Sequence, residues 1–290
     1  MPRYKLTVAY DGANFHGWQK QMQSCIADDV LAMEQDSLTT CDCPPEPPEA
    51  RCVEAEPLRT AQGILEQAVR MIVREPVDVV GASRTDAGVH ARAQVAAFTS
   101  QVVIPVKKLA RAISSRLPDD IQVTKAEMVA DDFDPIRGAI AKGYRYRIVH
   151  GCARGRFPLF DRHFVMHTAH NLDPERMNDG ARRLLGEHDF TSFTRLNHGR
   201  ESTVRTIYEC KVTAKGKRRC ELEIAGSGFL HNMVRIIAGT LVEVGRGTLE
   251  PEMIPQIVAA KDRRAAGPTA PPSGLCLMWI RYSADPVGPS

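Results

Sequence analysis

The sequence predicts an α+β protein with a mainly antiparallel sheet, built from two pseudo-equivalent halves and flanked by helices. Stretches of alternating apolar and polar residues, typical of strands, are mixed with stretches that place apolar residues on one helical face. The strict strand–helix–strand order of a doubly wound sheet is not followed, and the second half repeats the mixture found in the first. We expect the halves to span residues 1–140 and 141–284, followed by a tail over residues 285–290.

The first half begins with a predicted strand over residues 5–10, which Asp11-Gly12 ends with a turn. A helix is predicted over residues 60–74, because five apolar residues fall on one of its faces: Ile64, Leu65, Ala68, Met71 and Ile72. We then expect a short strand over residues 76–81, a strand over residues 94–98, a helix over residues 106–117 that stops at Pro118, and a strand from Ile121.

The second half contains the clearest helix start, in which Asp173 is a predicted N-cap and Pro174 occupies the first helical position. This helix is expected to run through Leu185 and to end at Gly186. A later amphipathic helix begins at Met233 and is expected to end at Gly245. The remaining predicted elements are strands over residues 144–149, 204–212, 220–225 and 274–282, and a helix over residues 251–261.

The composition is that of an ordinary globular protein: 43% of the 290 residues are hydrophobic and 25% are charged. No apolar stretch approaches the roughly 18 residues that a membrane-spanning helix needs. The N-terminus lacks the apolar region of a signal peptide. We therefore expect a cytoplasmic protein with reduced thiols and no contact with a membrane.

Residues 22–56 differ from the rest of the chain, because their net charge is −8 while the remainder carries +11. A body this basic favours a polyanionic partner such as nucleic acid. The prolines at the centre of the segment exclude a helix or a central strand, so we expect a partly disordered insertion in a surface loop. Its cysteines lack the paired spacing of a zinc ribbon, yet four thiolates in one loop could still bind Zn²⁺: Cys25, Cys41, Cys43 and Cys52.

The densest group of chemically active side chains lies in the predicted loop Ser83-Arg84-Thr85-Asp86-Ala87-Gly88-Val89-His90-Ala91. Loops between strands commonly present catalytic groups. Gly88 allows a sharp turn just after Asp86, and Arg84 is close enough in sequence to pair with a carboxylate or with a phosphate. Taken alone, an aspartate in such a loop is more often a turn cap than a nucleophile.

A set of short motifs along the chain changes this interpretation. Together they resemble the TruA family of tRNA pseudouridine synthases, in one order over nearly the whole chain except residues 22–56: Tyr10-Asp11-Gly12, Phe15-His16-Gly17-Trp18-Gln19, the loop from Gly81 to Ala91, Asp132-Phe133, Lys142-Gly143-Tyr144-Arg145-Tyr146, residues 184–193, Val204-Arg205-Thr206-Ile207, Phe229-Leu230-His231-Asn232-Met233-Val234-Arg235 and Gly274-Leu275. The resemblance implies the pseudouridine synthase fold, a homodimer, and isomerisation of uridine at consecutive positions of the tRNA anticodon stem-loop.

The resemblance also implies roles for single residues. Asp86 matches the family's nucleophile, Arg235 the arginine that pairs with it, Tyr144 the active-site tyrosine and Leu275 an apolar residue that lines the base pocket. From the loop that carries Asp86, Arg84 and His90 join them as candidate RNA contacts, and we interpret His90 as structural rather than as a metal ligand.

The chemistry is consistent with these residue types. Pseudouridine formation breaks the N-glycosidic bond, turns the uracil and rejoins it through carbon, so neither a cofactor nor a metal is required. An aspartate, with an ordinary pKa of about 3.9, is ionised at pH 7 and can act as nucleophile or base. We expect Arg235 to hold Asp86 through a bidentate pair, Tyr144 to stack on the uracil and assist proton movement, and Leu275 to pack against the base.

Three alternatives remain open. The same chemistry could act on another RNA, or the protein could bind RNA without catalysis. A metal-dependent nuclease or phosphotransferase would need two or more carboxylates around Mg²⁺, whereas the loop from Arg84 to Ala91 offers one.

Overall fold

One ten-stranded sheet organises the computed structural model, which describes residues 1–21, 58–153, 156–194 and 202–282. Its strands are β1 (Arg3–Tyr10), β2 (Val80–Gly81), β3 (His90–Thr99), β4 (Ile121–Val129), β5 (Ala139–Val149), β6 (Met166–His167), β7 (Gly186–Asp189), β8 (Val204–Ala214), β9 (Arg219–Gly226) and β10 (Leu275–Tyr282). The described α-helices are α1 (Ala61–Val73), α2 (Val106–Ser114), α3 (Pro174–Arg182), α4 (Met233–Arg246) and α5 (Ile254–Ala260).

The strand order is β4-β1-β3-β10-β5-β9-β8-β7, with β2 paired to β3 and β6 paired to β5. Among the described strands only β3–β10 and β5–β6 are parallel pairs, and the other pairs are antiparallel. The predicted α+β class with a mainly antiparallel sheet is therefore confirmed.

Each half of the chain contributes a similar group of three strands. In the first, β1 lies between β3 and β4; in the second, β5 lies between β9 and β10. The groups join where β10 runs parallel to the start of β3. Because β5 begins at Ala139, a division at residue 140 would cut this strand, and we propose that the halves divide in the turn before it.

The sheet is covered on one face and more exposed on the other. Along β1, buried residues alternate with half-buried ones, and the side chains of Tyr4, Leu6 and Val8 are fully buried. These side chains share one hydrophobic core with the apolar faces of the helices, of which α4 is the most buried. None of the described helices is long and apolar enough to cross a membrane.

Both ends of α1 and the start of α3 agree closely with the sequence prediction. Thr60 caps α1 by accepting a hydrogen bond from the Gly63 backbone N–H, and Arg74 ends this helix in a left-handed conformation. Asp173 caps α3, whose first residue is Pro174. One predicted core position of α1 is wrong: Met71 is half exposed, because it lies beyond the edge of the buried stripe that contains Leu65 and Ala68.

Other predicted boundaries are wrong. The predicted strand over residues 76–81 is reduced to Val80–Gly81, because the backbone of residues 77 and 79 bonds to side chains of α1 instead of to the sheet. Helix α2 ends at Ser114 and α3 at Arg182, each followed by turn residues.

Gly245 was expected to end α4 but lies inside it, and Gly247, with φ of +78°, ends the helix instead. A Cβ on Gly245 would lie 2.7 Å from Cγ of Met177. This glycine therefore allows α3 and α4 to approach each other and does not stop the helix.

Candidate active site

The loop that carries Asp86 is fixed at its start by a buried glutamine. Gln94 of β3 accepts a hydrogen bond from the Ser83 N–H at 3.2 Å and donates to the Ser83 carbonyl at 2.6 Å. The Tyr10 phenol bonds to the Thr85 hydroxyl at 2.8 Å at the end of β1. The two neighbours of Arg84, Ser83 and Thr85, are thus tied to the core of the sheet, which limits where Asp86 can lie.

A second segment, residues 12–18, supports the same loop from outside. The Trp18 N–H donates to the Thr85 carbonyl at 3.0 Å, and the Gly88 N–H donates to the Phe15 carbonyl at 3.2 Å. Gly17, with φ of +88°, approaches so closely that a Cβ would lie 2.8 Å from the Thr85 carbonyl oxygen. The two motifs, which are far apart in sequence, therefore form one rigid unit.

Asp86 projects from this unit towards the first turn of α4. Its Oδ2 accepts a hydrogen bond from Arg235 Nη1 at 2.9 Å, and its Oδ1 lies 3.6 Å from Nε2 of His231. Asp86 is 25% exposed and Arg235 17% exposed, so the pair is partly shielded from water. Each carboxylate oxygen thus faces a basic side chain, and the Arg235 guanidinium stabilises the ionised carboxylate.

The expected bidentate pair between Arg235 and Asp86 is wrong. Only Nη1 reaches the carboxylate, and this nitrogen also donates to Oδ1 of Asn232 at 2.9 Å. Nε donates to the Ala270 carbonyl at 2.8 Å. The guanidinium is shared among three acceptors, the Ala270 carbonyl, Asp86 and Asn232, so a single nitrogen remains for the carboxylate.

A cavity of about 470 Å³ opens beside this ion pair, a size within the roughly 300–1,000 Å³ typical of small-ligand pockets. It is lined by His16, Gln21, Leu58, Asp86, Ala87, His231, Asn232 and Arg235. In the wall of this cavity, the charged neighbours of Asp86 are basic. This setting suits a carboxylate that attacks a substrate more than a cluster of carboxylates that binds Mg²⁺.

Tyr144 lies behind the loop of Asp86. Its phenol bonds to the Ser83 hydroxyl at 3.0 Å, and its ring meets that of Phe229 edge to face at 5.2 Å. Burial raises the pKa of Tyr144 to about 12; the bond to Ser83 acts in the opposite direction, and the negative charge of Asp86 adds to the rise. The phenol is therefore neutral at pH 7 and can donate a hydrogen bond.

The other predicted site residues do not line the Asp86 cavity. Leu275 is buried at the start of β10, opposite Tyr146 of β5. Arg84 is exposed and makes no hydrogen bond or ion pair with another described residue. The structure brings together Asp86, Arg235 and, through Ser83, Tyr144.

His90 faces a different cavity, of about 420 Å³, together with Asp11 and Phe164. Its Nε2 contacts the His163 carbonyl at 2.7 Å, and its Nδ1 lies 3.0 Å from both the Gly12 N–H and Oδ1 of Asp11. Both ring nitrogens are thus engaged within the protein, which is consistent with the structural interpretation of this residue.

The described residues contain no group of three or more histidines, cysteines, aspartates or glutamates close enough to hold a metal ion. The four clustered cysteines of residues 22–56, and with them the proposed zinc alternative and the expected disorder of that segment, lie outside the described residues.

A family model described as tRNA pseudouridine synthase matches residues 6–136 and 181–283. The chain belongs to this family. It is 38% identical to tRNA pseudouridine synthase A of Acetivibrio thermocellus, over 97% of this chain and 100% of that one. It is 39% identical to the enzyme of the same name from Bacillus licheniformis, over 97% and 99%, and 35% identical to tRNA pseudouridine synthase A 2 of Clostridium perfringens, over 97% and 100%.

These matches confirm the family predicted from the motifs, and with it the enzyme class: pseudouridine synthases are isomerases, and this family acts on tRNA. The matched segments include both Asp86 and Arg235.

Three residues to which the sequence motifs assign no role contact Tyr144, Asp86 and Arg235, respectively: Ser83, His231 and Asn232. Each belongs to a motif that was recognised as a whole. Their position next to Asp86 and Arg235 within those motifs was the available signal, but a contact between segments some 150 residues apart requires the fold.

Proposed function

We propose that this chain isomerises uridine to pseudouridine at consecutive positions of the tRNA anticodon stem-loop, with Asp86 as the nucleophile. One observation carries the proposal: Asp86 lies on a rigid loop, is held by Arg235 at 2.9 Å, and borders an open cavity. The family to which the chain belongs supports the reaction and the tRNA substrate.

The reaction is balanced within one nucleotide. Asp86 either attacks the sugar, or removes a sugar proton, as the N-glycosidic bond breaks and the uracil turns. When the carbon–carbon bond forms, the bond from Asp86 to the sugar breaks, or the proton returns to the sugar. The ring proton leaves carbon and a nitrogen is protonated. Arg235 stabilises the negative charge of Asp86 in the partly shielded site. No electrons are transferred to another molecule, so the step needs no redox cofactor.

Tyr144 and Leu275 are the proposed partners of the uracil. The neutral Tyr144 phenol, with a pKa of about 12, is suited to donate a hydrogen bond rather than to act as a base. Its ring and the apolar side chain of Leu275 offer surfaces on which a base can pack. Tyr144 bonds to Ser83 behind the loop of Asp86, so its role requires the bound base to reach past Ser83.

Access to the target base requires that it leave the helical stack, which costs a few kcal/mol. The net charge of +11 outside residues 22–56 supports binding of the phosphate backbone, which offsets this cost. Arg84, exposed two residues before Asp86, is the proposed contact to the RNA next to the flipped nucleotide.

A homodimer in the cytoplasm is the proposed state of the enzyme. Residues 156–164 present apolar side chains to solvent, among them Phe157, Leu159 and Phe160, of which Phe160 is 94% exposed. Contiguous exposed apolar side chains mark protein interfaces more often than free surface. A second copy of the chain, contributing to one shared basic cleft, is the proposed partner of this surface.

The test is pseudouridine mapping on unmodified tRNA transcripts after incubation with wild type, Asp86→Asn and, as a matched control, Asp78→Asn, in EDTA and without added cofactor. Asp78 is a surface aspartate whose side chain is 86% exposed. We expect new pseudouridine in the anticodon arm with wild type and the control, and none with Asp86→Asn.

Two other outcomes would decide against the proposal. Pseudouridine that forms only in another RNA would reassign the substrate. Bound tRNA without any pseudouridine from the wild type would favour a non-catalytic RNA-binding protein.

A further inference from the structure

Asn232, which directly precedes α4, has an unusual backbone. Its φ of +60° and ψ of 2° lie in the left-handed region. The other described non-glycine residues with positive φ, Arg74 and Lys261, end helices α1 and α5, where this conformation is common. At a helix start the residue is normally extended, so the conformation of Asn232 requires a different explanation.

The Asn232 side chain does not cap the helix that it precedes. Its Oδ1 instead accepts a hydrogen bond from Arg235 Nη1 at 2.9 Å, the same nitrogen that donates to Oδ2 of Asp86 at 2.9 Å. An asparagine at this position usually bonds to a backbone N–H of the first turn. Asn232 makes no such bond, and its amide oxygen contacts Arg235 instead.

The contacts around Arg235 show what the Asn232 bond adds. The Ala270 carbonyl accepts from Nε, and the Ala270 N–H donates to the Arg235 carbonyl at 3.0 Å. The first bond holds Nε, and the second ties the Arg235 backbone to that of Ala270. A single bond at Nε still allows the planar guanidinium to pivot as a whole. Asn232 Oδ1 fixes Nη1, which is the end that reaches Asp86.

The turn at Asn232 also orients the residue before it. Leu230 is buried, whereas the side chain of His231 is 48% exposed and places Nε2 at 3.6 Å from Oδ1 of Asp86. A left-handed residue changes the chain direction sharply. The turn thus lets Leu230 pack in the core while His231 and Arg235 face opposite oxygens of one carboxylate.

We propose that Asn232 is a positioning residue of the isomerisation, which holds the Arg235 guanidinium in the orientation that contacts Asp86. The inference rests on the proposed role of Asp86 as the nucleophile. Asn232 acts through Arg235 and is not itself a catalytic residue. The side chain, rather than the left-handed backbone, carries the function.

Two substitutions separate the backbone from the side chain. Asn232→Gly keeps the left-handed conformation without strain but removes the amide oxygen, whereas Asn232→Ala removes the oxygen and strains the backbone. We expect kcat for pseudouridine formation to fall about tenfold in both variants, the effect of one charge-assisted hydrogen bond. KM for tRNA should stay within about twofold, because no bond to substrate is removed.

The melting temperature separates the loss of the Asn232 side chain from strain in its backbone. Asn232→Gly should melt at a higher temperature than Asn232→Ala, because only alanine strains the left-handed backbone. Asn171→Gly, at an exposed asparagine before α3, is the matched control and should keep the wild-type kcat. If Asn232→Gly retains the wild-type kcat, or if kcat follows the melting temperature across the variants, the side chain has only a structural role and the proposal is overturned.

A double-mutant cycle tests whether the effect passes through Arg235. In an Arg235→Gln background, adding Asn232→Gly should lower kcat no further, because the bond to Nη1 is already gone. Asp86→Ala separates this inference from the proposed function. If Asp86→Ala remains active, the nucleophile is wrong and the inference falls with it; if Asp86→Ala is inactive while Asn232→Gly equals wild type, only the inference fails.

Discussion

Asp86 and His90 are four residues apart in one motif, yet they serve opposite purposes. Asp86 is 25% exposed and faces Arg235 and His231 across a cavity. His90 is buried, and both of its ring nitrogens contact atoms of residues 11, 12 and 163. A polar side chain is available for chemistry only where its hydrogen-bonding capacity is left open to a ligand.

Removing the carboxylate should have the largest effect. Asp86→Asn keeps the size of the side chain but removes the carboxylate of the proposed nucleophile, so we expect the rate of pseudouridine formation to fall at least about a thousandfold. The melting temperature should change little, because the loop is held by Gln94 and Tyr10 rather than by Asp86. Single-turnover assays and thermal melts measure the two effects. A variant that melts early would show instead that Asp86 is structural.

Changing Arg235, the partner of Asp86, should lower the rate less than changing Asp86 itself. Arg235→Lys keeps the positive charge but loses the fixed geometry to Ala270 and Asn232, and we expect kcat to fall roughly a hundredfold. Arg246→Lys, at the far end of α4, is the matched control, since Glu243 is the one ion-pair partner of Arg246 among the described residues. Steady-state kinetics on tRNA transcripts should show the loss in Arg235→Lys alone. Equal rates for both variants would mean that charge, and not orientation, matters at Arg235.

For His90 we expect the opposite pattern, a loss of stability with little change in kcat. His90→Ala removes contacts to Gly12 and His163 and should lower the free energy of unfolding by about 1–3 kcal/mol, because it leaves buried partners unsatisfied. The kcat of the folded fraction should remain within about threefold of wild type. Denaturant unfolding and active-site-normalised rates are the measurements. A selective loss of kcat at unchanged stability would assign His90 to the reaction after all.

The last effect concerns stability at alkaline pH, outside the range in which the enzyme is assayed. Burial raises the pKa of Tyr144 from 10.0 to about 12, so the folded state holds this proton more tightly than the unfolded state. The resulting stabilisation is complete below pH 10 and is lost as the pH rises towards 12, by roughly 2–3 kcal/mol for this group.

Tyr144→Phe has no such proton and keeps the ring against Phe229. Its free energy of unfolding should therefore decline less steeply than that of the wild type between pH 10 and 12. Burial also raises the pKa of Tyr10 and Tyr146, so part of the decline should remain in the variant. Identical alkaline profiles for the two proteins would show that the Tyr144 phenol is not buried in solution.

The sequence alone determined the fold class, both ends of α1, the start of α3, and the family, because capping residues, apolar periodicity and short motifs are local signals. Tertiary structure decided what depends on contact between distant segments. Gly245 reads as a helix end, yet it is the point at which α4 approaches Met177. The sequence predicted a bidentate pair between Arg235 and Asp86, yet the nitrogens of Arg235 also bond to Ala270 and Asn232. Packing determines which hydrogen bonds remain available, and no local pattern records it.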